Sequence, residues 1–310
     1  MKKKIIVILG PTATGKSGLA VELARAFGGE VVSADSRQVY RGLDVGAGKI
    51  TKREMKSIPH HLLDVVDPRN RKSPRYTVED FKRDGTKAIA DIIRRGKLPI
   101  ICGGTGFYID ALVYDETFPA VPPDKKLRAR LAKKPVESLM RELRRLDPRR
   151  ARDIDPRNKV RIIRAIEIAR TLGFVPKIDP SPGAKRKKLY ETLFIGLTTD
   201  RETLRERIHA RLMKRMRGDT IIRETARLHK KGVSWKRLHE FGLEYRYAAL
   251  YLQKKLSKTE MLVELENRIV DFSKRQMRWF GANKSIEWFG PTSNRKVEGA
   301  VRKFLNKARR

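Results

Sequence analysis

The 310-residue sequence predicts an α/β fold, in which helices flank a parallel β-sheet and one further helical segment is inserted. Two observations support this fold class. Short apolar runs alternate with stretches of helical periodicity in the first part of the chain, a pattern typical of parallel sheets. Prolines then bound a stretch of different character before a further apolar run resumes the alternation.

The first strand is predicted at Ile5–Ile8, and the following "SGLAVELARAF" has apolar residues at helical spacing. "GGEVVSAD" predicts a second strand that ends near Ser33. An amphipathic helix is expected from Thr77 to Arg95, and "KLPIIC" predicts a third strand that ends at "GGTG".

The later elements follow the same reasoning. "LYETLFIGL" predicts a fourth strand that rejoins the sheet, Asp200 to Phe280 is expected to be helical, and "SIEWF" can add a last short strand. Between them, the segment from Pro119 to Ala184 is basic and helical in pattern, with prolines at both margins. We therefore divide the chain into residues 1–118, an inserted segment 119–184, and residues 185–310.

Residues 10 to 17, "GPTATGKS", form the pattern of a P-loop between the first strand and the first helix. Gly10 and Gly15 let the backbone wrap an anion, Lys16 adds a positive charge, and the Ser17 hydroxyl can ligate Mg²⁺. The flanking strand and helix favour this interpretation over a chance glycine-rich turn. They predict a P-loop NTPase-like core.

Ligands of open parallel sheets bind at the carboxyl ends of the strands. The P-loop, Asp35 and Thr105 all follow predicted strands, so we expect them to converge at one edge of the sheet. Asp35 has two interpretations that spacing alone does not separate. It can be a Mg²⁺ partner or general base, or it can be the N-cap of a helical turn.

Charge points to a polyanionic partner, because 72 Lys and Arg stand against 36 Asp and Glu, a net charge of +36. Nucleic acid is the first candidate, and a generally basic proteome is the alternative.

The single cysteine, Cys102, excludes an internal disulfide and favours a reducing compartment. No apolar stretch approaches the length of a spanning helix, and "MKKKIIVILG" is too short for a signal peptide. We expect a cytoplasmic protein.

The paired histidines His60 and His61 could suggest a metal site. Adjacent side chains point in different directions, however, and no cysteine or carboxylate stands at ligand spacing. A structural or surface role is the favoured interpretation.

Seven segments together resemble the tRNA dimethylallyltransferase family, the enzymes that prenylate the adenosine next to the anticodon. In the family's order, they read "GPTATGKS", "DSRQVYRGLDVGAGK", "PHHLLDVVDP", "GGTGFYIDAL", "DPRNKVRIIRAIEIARTLG", "GLEYRYAALYL" and "FSKRQMRWF". The match covers nearly the whole chain. The P-loop alone would be generic, whereas seven ordered segments are specific.

The resemblance implies that the P-loop holds the diphosphate of dimethylallyl diphosphate. The five-carbon group would pass to the exocyclic N6 amine of the adenosine 3′ to the anticodon, in tRNAs reading codons that begin with U, and diphosphate would be released. Asp35 would be the general base, with Lys16, Thr12 and Arg207 acting on the diphosphate. The implied diphosphate-binding residues are Gly10, Pro11, Thr12, Ala13, Thr14, Gly15, Lys16 and Ser17, with Mg²⁺ on Ser17.

The resemblance also implies a monomer that binds the tRNA anticodon stem-loop. The implied tRNA contacts are Asp35, Ser36, Arg37, Gln38, Thr105, Arg128, Val160, Arg161, Ile162, Ile163, Arg164, Tyr245, Arg246, Lys274, Arg275, Gln276 and Arg278. A stacked adenine is out of reach, so the base must be extruded while Arg and Lys hold the backbone. In the same segment, Trp279 and Phe280 can be core residues of a terminal helix. Arg275 and Arg278 are better candidates for phosphate contact.

The chain departs from the family pattern in three places. It reads "RIHARLMKRMRGDT" where the family usually has an acidic residue, it has "GLEYR" where many members have "GYK" or "GYR", and its inserted segment is shorter than in many members. Two other function classes remain open from the residues. One is a prenyltransferase acting on free adenine nucleotides, and the other is a P-loop kinase or NTP-dependent RNA-binding protein.

Overall fold

The structure is a computed structural model, and it describes residues 2–69, 76–114, 118–176 and 187–307. By internal packing the chain divides into two compact units. Unit 1 comprises residues 1–115 and 180–310, and unit 2 comprises residues 116–179. The sequence-based insertion at 119–184 has its proline-rich second margin outside the described residues, and its role in binding tRNA stays a prediction.

In its described residues, unit 1 is built on a six-stranded, all-parallel sheet with strand order β3-β2-β4-β1-β5-β6. The strands are β1 (Lys4–Leu9), β2 (Gly29–Ser33), β3 (His60–His61), β4 (Leu98–Cys102), β5 (Glu191–Leu197) and β6 (Ile286–Phe289). All five strands expected from the sequence are confirmed. The two-residue β3 was missed because it is too short to show any periodicity.

The helices of unit 1 connect and cover these strands. In chain order they are α1 (Lys16–Phe27), α2 (Lys52–Met55), α3 (Val78–Arg94) and α4 (Gly106–Val113), and, after unit 2, α9 (Arg201–Met216), α10 (Thr220–Lys230), α11 (Trp235–Phe241), α12 (Leu243–Leu252), α13 (Lys258–Gly281) and α14 (Asn294–Asn306). The predicted amphipathic helix is α3, which Thr77 caps. Its side chain accepts a hydrogen bond from the Asp80 amide, and the Asp80 carboxylate accepts one from the Thr77 amide.

The sheet is buried on both faces, which explains the continuous apolar runs of its strands. Because side chains alternate along β1, Ile5 and Val7 pack with α3, α4 and the end of α13, while Ile6 and Ile8 pack with α1 and α14. Phe280, at the end of α13, is buried in the first of these clusters. The alternative assignment of Phe280 to the core is therefore confirmed.

Within residues 118–176, unit 2 contains four helices with a hydrophobic cluster of their own. These are α5 (Lys125–Ala132), α6 (Val136–Leu146), α7 (Pro148–Asp153) and α8 (Lys159–Leu172). Its buried residues include Leu139, Leu143 and Ile166. In the described parts of both units, no helix combines the length and the apolar composition needed to cross a bilayer.

The chain's single cysteine offers a test of the packing at the end of β4. Burial raises the pKa of the Cys102 thiol to about 11, so it carries almost no reactive thiolate at pH 8. We predict that a maleimide modifies the native protein slowly at pH 8 and modifies guanidinium-unfolded protein at once. Mass spectrometry of the modified protein measures this difference. Complete modification of the native protein within the dead time would contradict the packing.

Candidate active site

The loop between β1 and α1 has the backbone geometry of an anion cradle. Gly10, Ala13 and Gly15 all have positive φ, at 137°, 65° and 89°. A Cβ on Gly10 would overlap the carbonyl oxygen of Leu197 at the end of β5, so this position accepts only glycine. Gly15 leaves the amino end of α1 without a side-chain cap. The free amides of the first turn therefore remain available to an anion.

Two cations lie at this loop. Lys16 Nζ donates to the Pro11 carbonyl oxygen at 2.5 Å, and Arg211 Nη1 on α9 donates to Thr12 Oγ1 at 2.7 Å. Burial lowers the pKa of Lys16 to about 8, and burial together with the neighbouring Arg215 lowers the pKa of Arg211 to about 10. Two desolvated cations at one loop are stabilised by a bound anion.

The sequence-based candidate on α9 was Arg207, and its role stays a prediction. Arg211 lies one helical turn further along and makes the direct contact with the P-loop. Sequence reasoning missed it. The spacing of four residues, which places both arginines on one helix face, is the signal that could have found it.

Asp35 follows β2 and orders its own turn. Its Oδ1 accepts hydrogen bonds from the amides of Arg37 at 2.8 Å and Gln38 at 3.4 Å. Residues 36–39 form turns and no helix begins here, so Asp35 caps a turn and not a helix. Within the described residues Oδ2 makes no hydrogen bond. Burial lowers the pKa values of Lys16 and Arg211, and the negative charge of Asp35 opposes this lowering to a smaller degree.

The loop after β4 lies beside Asp35. Thr105 Oγ1 accepts a hydrogen bond from the Ser36 amide at 3.2 Å, and the Thr105 amide donates to the Ala34 carbonyl oxygen at 3.2 Å. A Cβ on Gly103 would overlap that same carbonyl group. The P-loop, Asp35 and Thr105 therefore meet at the carboxyl edge of the sheet, as their positions after strands predicted.

Gln276, on α13, is one of the implied tRNA contacts. It is only 6% exposed, and its amide connects the P-loop to the loop after β4. Its side chain therefore has no surface to offer an RNA in this structure. Trp279, one turn further, packs against Gly106 and donates from Nε1 to Asp110 Oδ2 at 3.2 Å.

Tyr245, also an implied tRNA contact, is 1% exposed. Its hydroxyl donates to Glu224 Oε1 at 2.8 Å and accepts from the Ala47 amide at 3.1 Å. Glu224 in turn accepts hydrogen bonds from the amides of Asp44, Val45 and Gly46. Tyr245 is thus a core residue that shapes the loop after Asp35. Contact between its side chain and RNA does not fit this burial.

Four of the basic candidates in unit 1 have exposed side chains. Arg246, Lys274, Arg275 and Arg278 all lie on helix surfaces open to solvent. Gln38 is half-buried, where its side chain accepts from Ser33 Oγ at 2.9 Å and donates to the Gly48 carbonyl oxygen at 3.2 Å. The exposed cations remain the candidates for RNA contact in this unit.

The candidates in unit 2 divide in the same way. Val160 is 71% exposed and Arg161 is exposed, whereas Ile162 and Ile163 are buried in the unit's own core. Arg128 and Arg164 both hold the buried carboxylate of Glu167, with Arg128 Nη2 at 2.6 Å from Oε2. Contact between RNA and the side chains of Ile162 or Ile163 therefore does not fit their positions in the core.

The histidine pair has structural partners. His61 Nε2 lies 2.7 Å from the buried Glu30, and His60 Nδ1 lies 2.9 Å from the Ile58 carbonyl oxygen. No group of three or more His, Cys, Asp or Glu side chains suited to a metal occurs in the residues that the structure describes.

Ser17 has an exposed side chain at the amino end of α1. A Mg²⁺ ion that keeps its waters and is carried by a phosphate ligand fits one such hydroxyl.

Comparison with known proteins identifies a matching family. The IPP transferase model matches residues 38–283, and the isopentenyl transferase model matches residues 3–72. The chain is 45% identical over 280 residues to tRNA dimethylallyltransferase 2 of Treponema denticola, covering 90% of this chain and 92% of that protein. It is 37% identical to the tRNA dimethylallyltransferase of Geobacillus thermodenitrificans, covering 98% and 96%.

Solved structures are similar as well. The tRNA isopentenylpyrophosphate transferase of Bacillus halodurans matches with a TM-score of 0.73 and 32% identity, covering 99% of this chain and 98% of that one. A eukaryotic dimethylallyltransferase acting on tRNA matches with a TM-score of 0.83 and 25% identity, covering 98% and 80%.

The contact between α9 and the P-loop predicts a measurable effect on anion binding. Arg211→Gln removes a charged donor, so we expect the Kd for inorganic diphosphate in Mg²⁺ buffer to rise about 10- to 100-fold. Titration calorimetry measures this constant. Arg205→Gln, at an exposed position on the same helix, is the matched control and should bind like the unmodified protein. Equal affinity of both variants would show that Arg211 does not face the anion.

Proposed function

The chain belongs to the IPP transferase family, and on that basis we propose that it transfers a dimethylallyl group from dimethylallyl diphosphate to tRNA. The resemblance found in the sequence is thereby confirmed. The acceptor we propose is the N6 amine of the adenosine 3′ to the anticodon, in tRNAs that read codons beginning with U. The observation that supports this chemistry is the meeting of a cationic P-loop and the turn of Asp35 at one edge of the sheet.

The leaving diphosphate is the first requirement of the reaction. As the C1–O bond lengthens, the allylic carbon becomes positive and the diphosphate takes the electron pair. Lys16, Arg211 and the amides at the amino end of α1 stabilise this developing anion. Arg207 lies on the same helix as Arg211, and we retain it as a further diphosphate contact.

A Mg²⁺ ion would support the same step. Ser17 would hold Mg²⁺ together with the diphosphate oxygens and water, and the ion would neutralise part of the charge on the leaving group. The protein itself would bind the diphosphate at the P-loop, where Lys16 and Arg211 are held partly out of water.

The amine is the second requirement. N6 attacks C1, the C–O bond breaks toward diphosphate, and the proton that N6 loses passes to the Asp35 carboxylate. The amine becomes acidic only as it attacks, so Asp35 need not be a strong base. The two amides that bind Oδ1 fix the orientation of the carboxyl group.

The RNA must present an unstacked base to this site. We propose that Ser36, Arg37, Gln38 and Thr105 border the extruded adenosine, and that the exposed Arg246, Lys274, Arg275 and Arg278 contact phosphates. In unit 2, the solvent-exposed Val160 and Arg161 would be available to RNA, while Arg128 and Arg164 would offer at most the guanidinium edges that Glu167 does not use. We place this tRNA-modifying enzyme in the cytoplasm, as a monomer.

The choice of acceptor separates this function from its alternatives. Labelled dimethylallyl diphosphate is incubated with the protein and, in parallel, with unmodified tRNA, AMP or ATP. We expect label in tRNA alone. Label in AMP or ATP would indicate a nucleotide prenyltransferase, and ATP consumption without prenyl transfer would indicate a kinase or an NTP-dependent protein.

Removal of the Asp35 carboxylate should slow the transfer reaction and leave tRNA binding unchanged. We predict that Asp35→Ala lowers the single-turnover rate about 100-fold or more and leaves the Kd for tRNA nearly unchanged. Rapid-quench kinetics and filter binding measure the two quantities. Asp91→Ala, at an exposed carboxylate on α3, is the control. A variant at Asp35 that loses tRNA binding and keeps its rate would refute the assignment.

The role of Ser17 is tested by a metal titration. Ser17→Ala removes one oxygen ligand, so half-maximal activity should require more Mg²⁺ than in the unmodified enzyme. Ser285→Ala, another exposed serine in unit 1, should leave the titration unchanged. Coinciding titration curves for the variant at Ser17 and the unmodified enzyme would remove Ser17 from the metal site.

The exposed face of α13 is tested by salt dependence. If Arg275 contacts a phosphate, Arg275→Glu should weaken tRNA binding and reduce the slope of log K against log salt by about one unit. Arg25→Glu, the same charge change near the carboxyl end of α1, is the control. Reversal of Arg128 is unsuitable because it would place a second carboxylate beside Glu167. Equal slopes in both variants would place the RNA elsewhere.

A further inference from the structure

Gln276 makes a buried connection between two loops of the site, and the reaction proposed above assigns it no role. It lies on α13, far along the chain from the P-loop, and its side chain is buried between two loops of the site. Its Oε1 accepts a hydrogen bond from the Thr12 amide at 2.9 Å. Its Nε2 donates to the Gly104 carbonyl oxygen, also at 2.9 Å. One side chain therefore joins the loop after β1 to the loop after β4.

The orientation of this amide follows from its partners. An N–H group requires the oxygen of the side chain and a carbonyl group requires the nitrogen, so the reverse orientation would break both bonds. Gly104 also leaves the space that the amide occupies, because a Cβ there would overlap Nε2. Trp279 takes the corresponding space at Gly106. The two glycines thus let one face of α13 lie directly on the loop.

The hydrogen bonds continue toward Asp35, the proposed general base. Thr105, next to Gly104, accepts a hydrogen bond from the Ser36 amide, and Ser36 follows Asp35. On the other side, Thr12 accepts from Arg211 through its hydroxyl and donates to Gln276 through its amide. Hydrogen bonds, together with the peptide links Gly104–Thr105 and Asp35–Ser36, therefore connect the P-loop through Gln276 to the turn that holds Asp35.

We propose that Gln276 is a positioning residue that holds the P-loop and the Asp35 turn at the separation required for transfer. This inference rests on the proposed function, because it concerns the distance between the leaving group and the base. It also gives Gln276 a role different from RNA contact, in agreement with its burial. The bridge acts through Thr12 and Gly104 and does not itself touch a substrate.

The variant that tests this role is Gln276→Met, which keeps the length of the side chain and removes both hydrogen bonds. A positioning role predicts that the single-turnover rate at saturating substrates falls about 10- to 100-fold. The Kd values for dimethylallyl diphosphate and for tRNA should each change by about threefold or less, since the binding groups themselves remain. Gln253→Met, at a half-buried glutamine at the end of α12, is the matched control and should keep the unmodified rate.

A second measurement does not depend on activity. Hydrogen exchange followed by mass spectrometry should show faster exchange in the peptide that contains Thr12 for Gln276→Met and no change there for Gln253→Met. If the unmodified protein transfers no label to tRNA, the proposed function fails, while this exchange measurement still tests the bridge. Unchanged exchange would overturn the bridge itself.

Two results with Gln276→Met would overturn the positioning role. An unmodified rate with a lowered Tm would mean that Gln276 contributes only to packing. A raised Kd for tRNA at an unmodified rate would mean that Gln276 contacts RNA. If Gln276→Met does not fold, Gln276→Glu decides, because it keeps an acceptor for Thr12 and loses the donor to Gly104. Its rate should also fall, and an unmodified rate would overturn the proposal.

Discussion

The proposed active site depends on holding three loops in fixed positions past the ends of the strands that carry them. β1 and β4 are aligned up to Ile8 and Cys102, and β2 and β4 up to Ser33 and Cys102. Beyond these pairs the register of the strands no longer determines where the loops lie. Cross-loop hydrogen bonds do so instead, from Ser36 to Thr105 and from Gln276 to both Thr12 and Gly104. The chemistry requires this alignment, because a leaving diphosphate and an attacking amine must be stabilised at once.

Helix α13 combines two roles on opposite sides. Gln276 and Phe280 are buried, the first against the site loops and the second in the core beside the sheet. Lys274, Arg275 and Arg278, on the other side, are exposed and basic. A helix with this arrangement can support the diphosphate cradle from within and present cations to RNA from outside. The same short segment, "KRQMRWF", therefore serves packing, positioning and charge.

Much of this could be predicted from the sequence, since the apolar strands and the amphipathic α3 have strong periodicity and the P-loop has a specific spacing. Burial within a motif could not be predicted. Tyr245 and Gln276 stand beside exposed arginines, and only the tertiary packing shows that their side chains point inward. Arg211 was missed for the same reason, since it lies one turn from Arg207 and only the packing of α9 against the P-loop shows which of the two makes the contact.

A double-mutant cycle on Asp35 and Gln276 tests the central claim most directly. Single-turnover rates are measured for the unmodified enzyme, Asp35→Asn, Gln276→Met and the double variant, with tRNA and dimethylallyl diphosphate saturating. If Gln276 acts by placing the cradle relative to Asp35, its loss should cost clearly less once the carboxylate is gone, so the two effects should not add. Additive effects in the logarithm of the rate would contradict the account, because they would show that the two residues act independently.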